Sequence, residues 1–191
     1  MSGRRLEAAL GRRRRSDPRL RELAAIATET RAGLYLVGGY VRDAALGRKA
    51  HDLDLVCARG TARVVAALRA RWGRSGYRFR KRGVTTWRFS TEGRQVDLVD
   101  ASRRGLARDL ERRELTFNAM AFDLVAGRLH DPLRGLADLR AGRMRAPRAG
   151  VIREDPVRAL RVARFAAQFP GFSVARPLRG EARSVSAALR R

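Results

Sequence analysis

The spacing of apolar residues changes repeatedly along the chain, and each change marks an element. Leu20, Leu23, Ala24, Ile26 and Ala27 recur at helical spacing over residues 20–31. The run Leu34 to Val37 is short and continuous, as in a buried strand. Residues 40–46 return to a helical pattern, closed by Gly47. Residues 51–57, HDLDLVC, alternate with the period of a strand, and residues 62–72 are helical again. Strands follow at 87–90 and 94–100, joined by a hairpin turn at Thr91-Glu92-Gly93. Residues 108–124 read as rich in helix, 128–132 as a short strand and 136–142 as a small helix. The strongest helical pattern spans 154–169, with Asp155 placed to cap it and Pro156 in its first turn. Beyond Pro170-Gly171 the pattern weakens. At the other end, residues 1–19 hold the run Arg12 to Arg15 and then Asp17-Pro18, and read as a mobile arm or a short helix.

Charge changes this picture more than composition does. An apolar content of 45% over 191 residues is ordinary for one compact domain or slightly more. Yet 43 Lys and Arg against 19 Asp and Glu leave a net charge of +24, which attracts polyanions, nucleic acid first. Codon bias is the plainer account of Arg over Lys, since only Lys49 and Lys81 are lysine, but it explains the excess over acids less well. Cys57 is the only cysteine, so a disulfide and a cysteine-based zinc site are excluded. Two histidines, His51 and His130, are too few for a histidine metal cage. No apolar run reaches the ~18 residues of a membrane span, and no apolar core follows the N-terminal arginines. A soluble cytoplasmic protein is the simplest expectation; Glu7 and Asp17 count against an Arg-rich targeting segment.

Candidate chemistry begins at residues 34–57. Strand, Gly38-Gly39, then helix bares main-chain amides at a helix start, where an anion can approach without meeting a Cβ. Arg42, one turn in, reaches the same anion. Asp52 and Asp54 are two apart on a strand, so their carboxylates share a side while Leu53 and Leu55 point inward. Neighbouring carboxylates repel unless a cation sits between them, and hard oxygen ligands suit Mg²⁺, which also binds triphosphates. Taken singly, the glycines are a tight turn and the aspartates a solvated strand face. In this order they point to a nucleoside triphosphate on the turn with its metal on the aspartates.

GGYVRD followed by HDLDL resembles the signature of the polymerase β nucleotidyltransferase superfamily. More narrowly, it resembles the bacterial-type (class II) CCA-adding tRNA nucleotidyltransferases and their poly(A) polymerase relatives. VDLVDASR, DLERRELTFNAMA, DPLRGLADLRAGRMRA and EDPVRALRVARFAAQF continue the likeness in order, from about Leu34 to Phe169. The resemblance implies an α+β fold: a polymerase β-like mixed sheet flanked by helices, followed by the start of a helical neck. An arm at 1–19, a head at 20–145 and a neck from 146 to 191 are expected. It also implies attack of an RNA 3′-hydroxyl on the α-phosphate of CTP or ATP, with pyrophosphate leaving and Mg²⁺ on Asp52, Asp54 and Asp97. Asp100 is the rival to Asp97. Gly38, Gly39 and Arg42 would hold phosphates, and Arg112, Arg113 and Asn118 lie where the family contacts ribose and triphosphate. Glu114 stands where the family carries Asp, so its ribose contact is shifted or lost. Asp131 and Asp138 are expected to cap turns.

Asp155 and Arg158 are three residues apart on the expected helix, close enough for a salt bridge or for a base template. Cytosine and adenine each show an amino donor beside a ring-nitrogen acceptor, which a carboxylate and a guanidinium complement. Arg161 would support the pair. The expected partners are tRNA or another RNA 3′ end, with CTP and ATP. Relatives carry long helical regions beyond this point, which leaves four readings open: a piece of a longer chain with a further C-terminal helical region, a minimal enzyme, a subunit that needs a second subunit, or an inactive descendant. Poly(A) polymerase activity is the alternative, and a basic RNA-binding module that has lost catalysis is the reading from a different class.

Overall fold

The computed structural model describes residues 1–50, 52–73, 76–81, 83–91 and 94–188, without the side chains of Thr91 and Arg94. They form two compact units: residues 1–109 with 121–130, and residues 110–120 with 131–188.

The first unit is built on a seven-stranded mixed sheet of order β3-β4-β5-β2-β1-β6-β7. Its strands are β1 Gly33–Val37, β2 Leu53–Arg59, β3 Tyr77–Lys81, β4 Val84–Thr91, β5 Arg94–Asp100, β6 Ala121–Asp123 and β7 Leu129–His130. β2 and β5 are parallel, and the remaining pairs are antiparallel. Leu34, Leu36, Leu53, Leu55, Phe89, Val96 and Leu98 share one face and are fully buried or nearly so. Helices α2 Pro18–Glu29 and α4 Thr61–Trp72 lie on this side, where the Trp72 ring meets Phe89 edge-on at 6.1 Å and its indole N–H donates to Glu22. α3 Gly39–Ala45 links β1 to β2.

Several elements differ from the pattern reading. Of the two readings of residues 1–19, the helix is the one present. α1 Gly3–Ser16 buries Leu6 and Leu10, one turn apart, and Glu7 accepts a hydrogen bond from the Leu129 N–H of β7. β3 was not anticipated, because its sequence YRFRK alternates large rings with cations and three of its five residues are charged. β4 is longer than expected, running from Val84 to Thr91. The hairpin pairs Thr91 with Arg94, so Thr91 belongs to β4 and not to the turn expected at residues 91–93; Glu92, Gly93 and His51 lie outside the described residues.

Residues 108–124, of which only 110–120 belong to the second unit, are only briefly helical. α5 Gly105–Glu111 stops early, a 3₁₀ turn covers Thr116–Asn118, and β6 follows. Every residue from Glu114 to Phe122 is buried, so the run has no polar face for a surface helix to present. α6 Gly135–Arg140 packs on the 3₁₀ turn, and a Cβ on Gly135 would stand 2.2 Å from the Thr116 carbonyl oxygen. β8 Arg143–Met144 pairs in parallel with β9 Ser173–Val174. α7 Val151–Glu154 is closed by Asp155, and α8 Val157–Gln168 begins after Pro156, which occupies its cap position. The expected side-chain cap from Asp155 is therefore replaced by its main chain: the Asp155 carbonyl accepts from the Arg158 N–H at 2.8 Å. α9 Arg176–Ala188, also unanticipated, buries Leu178 and Val185, seven residues apart, while most of its surface is polar. Phe117 fills the middle of this unit, with the rings of Phe165, Phe169 and Phe172 all within about 6 Å.

These units divide the chain elsewhere than at residues 19/20 and 145/146, because α1 is packed into the first and the segment 110–120 into the second.

Candidate active site

Register alone assembles the first part of the site. Across adjacent strands, Val37 lies opposite Asp54, Asp54 opposite Asp97, and Asp97 opposite Arg88. Laterally paired residues point to the same face, so Asp54 and Asp97 stand side by side on neighbouring strands about 4.8 Å apart. The glycine turn begins one residue after Val37 and therefore sits at the end of the same row. Gly38 has φ 70° and ψ −135°, a conformation that a side chain disfavours. Arg42 returns to this turn: its Nη2 lies 3.5 Å from where a Gly39 Cβ would be. The guanidinium is buried and is held by Asp43 through two hydrogen bonds of 2.8 and 2.9 Å. Asp43 thus positions Arg42, a role that sequence reasoning did not give it.

Asp52 and Asp54 are both exposed, with Leu53 and Leu55 buried between and after them, as the alternation requires. Asp52 lies just ahead of β2 rather than within it. Asp97 is held by Arg88, whose Nε and Nη2 each donate to one carboxylate oxygen at 2.7 Å. That bond, against a smaller cost of burial, holds the Arg88 guanidinium above its ordinary pKa, and Tyr77 also bonds to it. Arg88 is the main residue that sequence reasoning missed. The register that places it there has Thr91, not Ser90, opposite Arg94, and a turn expected at residues 91–93 does not give it.

Asp100, the rival carboxylate, has other work. It accepts from the Thr61 hydroxyl at 2.8 Å and from the Ser102 N–H at 3.0 Å. Burial alone would raise its pKa, but the bonds from Ser102 and Thr61 outweigh burial and hold it below the ordinary carboxylate value. A depressed folded pKa stabilises the fold above the unfolded value, and that contribution is lost as pH falls through the folded one. Asp100→Asn should therefore destabilise the protein at neutral pH, and the difference in urea midpoint from wild type should close as pH drops below the ordinary carboxylate range. A difference that persists there would mean the charge is not what matters.

The second unit gathers the remaining candidates. Glu114 is nearly inaccessible and joins two of them: Asn118 donates to it at 2.9 Å, and Arg161 lies 3.1 Å away. Arg161 thus pairs with Glu114. Arg113 donates to the Asn118 carbonyl at 3.5 Å. Arg158 donates to the Val151 carbonyl at 2.5 Å and lies 3.8 Å from Glu154. Burial lowers the Arg158 pKa, while the charges of Asp155, Glu114 and Glu154 pull it up and that of Arg112 pushes it down. Arg112, Glu114, Asn118, Asp155, Arg158 and Arg161 are therefore one electrostatic cluster, although Asp155 and Arg158 do not share a helix. Asp131 caps α6, accepting from Gly135 and Leu136. Asp138 caps no turn; it is a buried acceptor for Thr116, Arg143 and Arg145.

Among the described residues, no three Asp, Glu, His or Cys side chains are gathered to hold a metal ion. The donors that do face one another, Asp54 and Asp97, are hard carboxylates of the kind Mg²⁺ takes, with Asp97 engaged by Arg88. No described helix is long and apolar enough to cross a membrane.

Residues 34–145 match the model of the Poly A polymerase head domain. The chain is 37% identical over 146 residues to the CC-adding tRNA nucleotidyltransferase of Geobacter sulfurreducens, covering 76% of this chain and 34% of that protein. It is 40% identical over 158 residues to the Multifunctional CCA protein of Nitrosomonas europaea, covering 74% and 36%. The chain thus spans about a third of the length of these curated relatives. Among solved structures, the Thermotoga maritima CCA-adding enzyme complexed with tRNA-CCA matches with a TM-score of 0.78 at 27% identity, over 97% of this chain and 45% of that one. A CCA-adding enzyme complexed with CTP matches equally well, at 0.78 and 28% identity, over 95% and 44%.

Proposed function

The chain belongs to the Poly A polymerase head domain family, and from that membership we propose that it transfers CMP and AMP from CTP and ATP to the 3′ end of tRNA. The supporting observation is the row that sets Asp54 beside Asp97 at the end of a glycine turn. The 3′-hydroxyl attacks the α-phosphate, its proton is lost, and pyrophosphate leaves. Asp52, Asp54 and Asp97 would hold Mg²⁺, which when bound acidifies the hydroxyl and steadies the leaving oxygens. Gly38 and Gly39 leave room for phosphate oxygens, and Arg42, oriented by Asp43, neutralises them. Glu114 fixes Asn118 and Arg161, so its longer side chain serves the cluster internally. A cytoplasmic location belongs to the same reading.

The test is Mg²⁺-dependent incorporation of labelled CTP and ATP into tRNA lacking its 3′ end. Incorporation of AMP alone into any RNA would favour a poly(A) polymerase. A second reading, RNA binding without catalysis, is favoured by one observation: both oxygens of Asp97 already accept from Arg88. Tight RNA binding with no incorporation at any Mg²⁺ concentration would select it.

Base choice is assigned to Asp155 and Arg158. Losing one partner of a charged hydrogen bond costs roughly 1.5–3 kcal/mol, about 10- to 150-fold in discrimination. Asp155→Ala should flatten the preference for CTP and ATP over UTP and GTP by that factor, measured by single-turnover incorporation of each. Equal slowing of all four would make the pair structural.

A further inference from the structure

The edge of the sheet in the first unit carries rings that its core does not use. β3 is the edge strand, and Tyr77, Phe79 and Lys81 alternate onto one of its faces. Their partners on β4 are Arg88, Thr86 and Val84. Because Arg88 pairs with Asp97 and Asp97 with Asp54, this is the face that bears the carboxylates. The core is on the other face, with Phe89, Val96 and Leu98. Tyr77 is 55% exposed and is the only exposed Tyr, Phe or Trp among the described residues. Its ring lies 5.9 Å from that of Phe79, tilted by 38°, and the Arg88 guanidinium stands 5.5 Å over the Phe79 ring. Lys81 is exposed beside them.

Edge strands are normally blunted by charge, and the cations of β3 do that; an exposed tyrosine does the opposite. Two neighbouring rings with a cation at one end and a guanidinium at the other form a surface that suits unpaired nucleobases. Every base offers a π-face whatever its sequence, and the cations meet the phosphates. With strands about 4.8 Å apart, Tyr77 stands three strands, or roughly 14 Å, from Asp54 along a single row.

We propose that Tyr77 and Phe79 form a stacking shelf for the unpaired bases at the 3′ end of the RNA acceptor, with Lys81 on the adjoining phosphate and Arg88 leading toward the carboxylates. The shelf rests on the reading that an RNA 3′ end is the substrate. It accounts for an exposed ring beside a catalytic row, and it assigns β3 the task of presenting the strand end.

The full chain is titrated with a short unstructured RNA ending in a single C that carries 2-aminopurine near its 3′ end, and transfer from CTP to the same RNA is followed. Stacking should quench the 2-aminopurine in the wild type. Tyr77→Leu, which keeps apolar bulk but removes the π-face, should weaken RNA binding about 5- to 150-fold and relieve the quenching. The KM for RNA should rise by a similar factor while the KM for CTP stays unchanged, and Tyr77→Phe, which keeps the π-face and loses only the hydroxyl bonded to Arg88, should bind and quench the RNA as wild type does. Phe79→Leu, read the same way, guards against a local defect at Tyr77. If both leucine variants bind RNA as tightly as wild type, the shelf is overturned, and the rings are apolar surface for some other partner. If the wild type binds and quenches the RNA yet transfers nothing, the transfer reading falls while the shelf stands.

Discussion

Asp54→Asn should reduce nucleotide transfer by at least ~100-fold while leaving the unfolding midpoint at its wild-type value. The carboxylate is exposed, so the core does not depend on it. Its place between the glycine turn and Asp97 makes it the natural bridge between a bound triphosphate and the acceptor. Replacing one oxygen by an amide removes a charged ligand from a hard cation, and such ligands supply most of the transition-state charge compensation in phosphoryl transfer. Asp97→Asn should lose activity as well, but with a second signature, because it also releases Arg88 from a bidentate bond. Single-turnover transfer and urea unfolding measured on both variants separate the two roles. Full activity in Asp54→Asn would remove the metal assignment altogether.

The row that supports this prediction was largely legible in the sequence. Alternation in HDLDLVC put both aspartates on one side, and the glycine pair marked the end of a buried strand; the residue facing Asp97 was not legible, because the hairpin pairs Thr91 with Arg94, one residue away from the expected register. The parallel pairing of β2 with β5 was not legible, because it joins strands some 40 residues apart through intervening elements. β3 was hidden for a different reason. Its outward rings and cations contain no apolar run, so its strand character comes from pairing with β4. Burial of Glu114 was equally invisible: an acidic residue among arginines reads as surface, whereas here the segment 114–122 is enclosed on all sides and the carboxylate is needed to satisfy Asn118 and Arg161. Pattern reading thus found residues whose roles follow from local alternation and failed where a role depends on a partner distant in sequence.

The largest stability effect is expected at Asp138. Its side chain is 1% exposed and accepts from the Thr116 hydroxyl at 2.7 Å, from Arg143 Nε at 2.8 Å and from Arg145 Nε at 2.9 Å. Asp138→Ala should cost about 3 kcal/mol, because a fully buried hydroxyl loses its acceptor and two guanidiniums lose their counter-charge. The loss stays near the lower end for a buried ion pair, since Arg143 and Arg145 are 51% and 37% exposed and can turn to water. Gly135, three residues earlier on α6, constrains the same spot by its lack of a side chain: Gly135→Ala would drive a Cβ into the Thr116 carbonyl, at a cost of roughly 1–3 kcal/mol. Both changes loosen Thr116, so the double variant should cost less than the two single costs added together, by at least ~0.5 kcal/mol. Thr116 lies between Glu114 and Asn118, and each single variant should therefore also raise the KM for CTP. Urea unfolding of the four proteins in the cycle, with CTP titration alongside, measures both consequences. Strict additivity, with an unchanged KM, would show that α6 supports the fold without setting the position of Glu114 and Asn118.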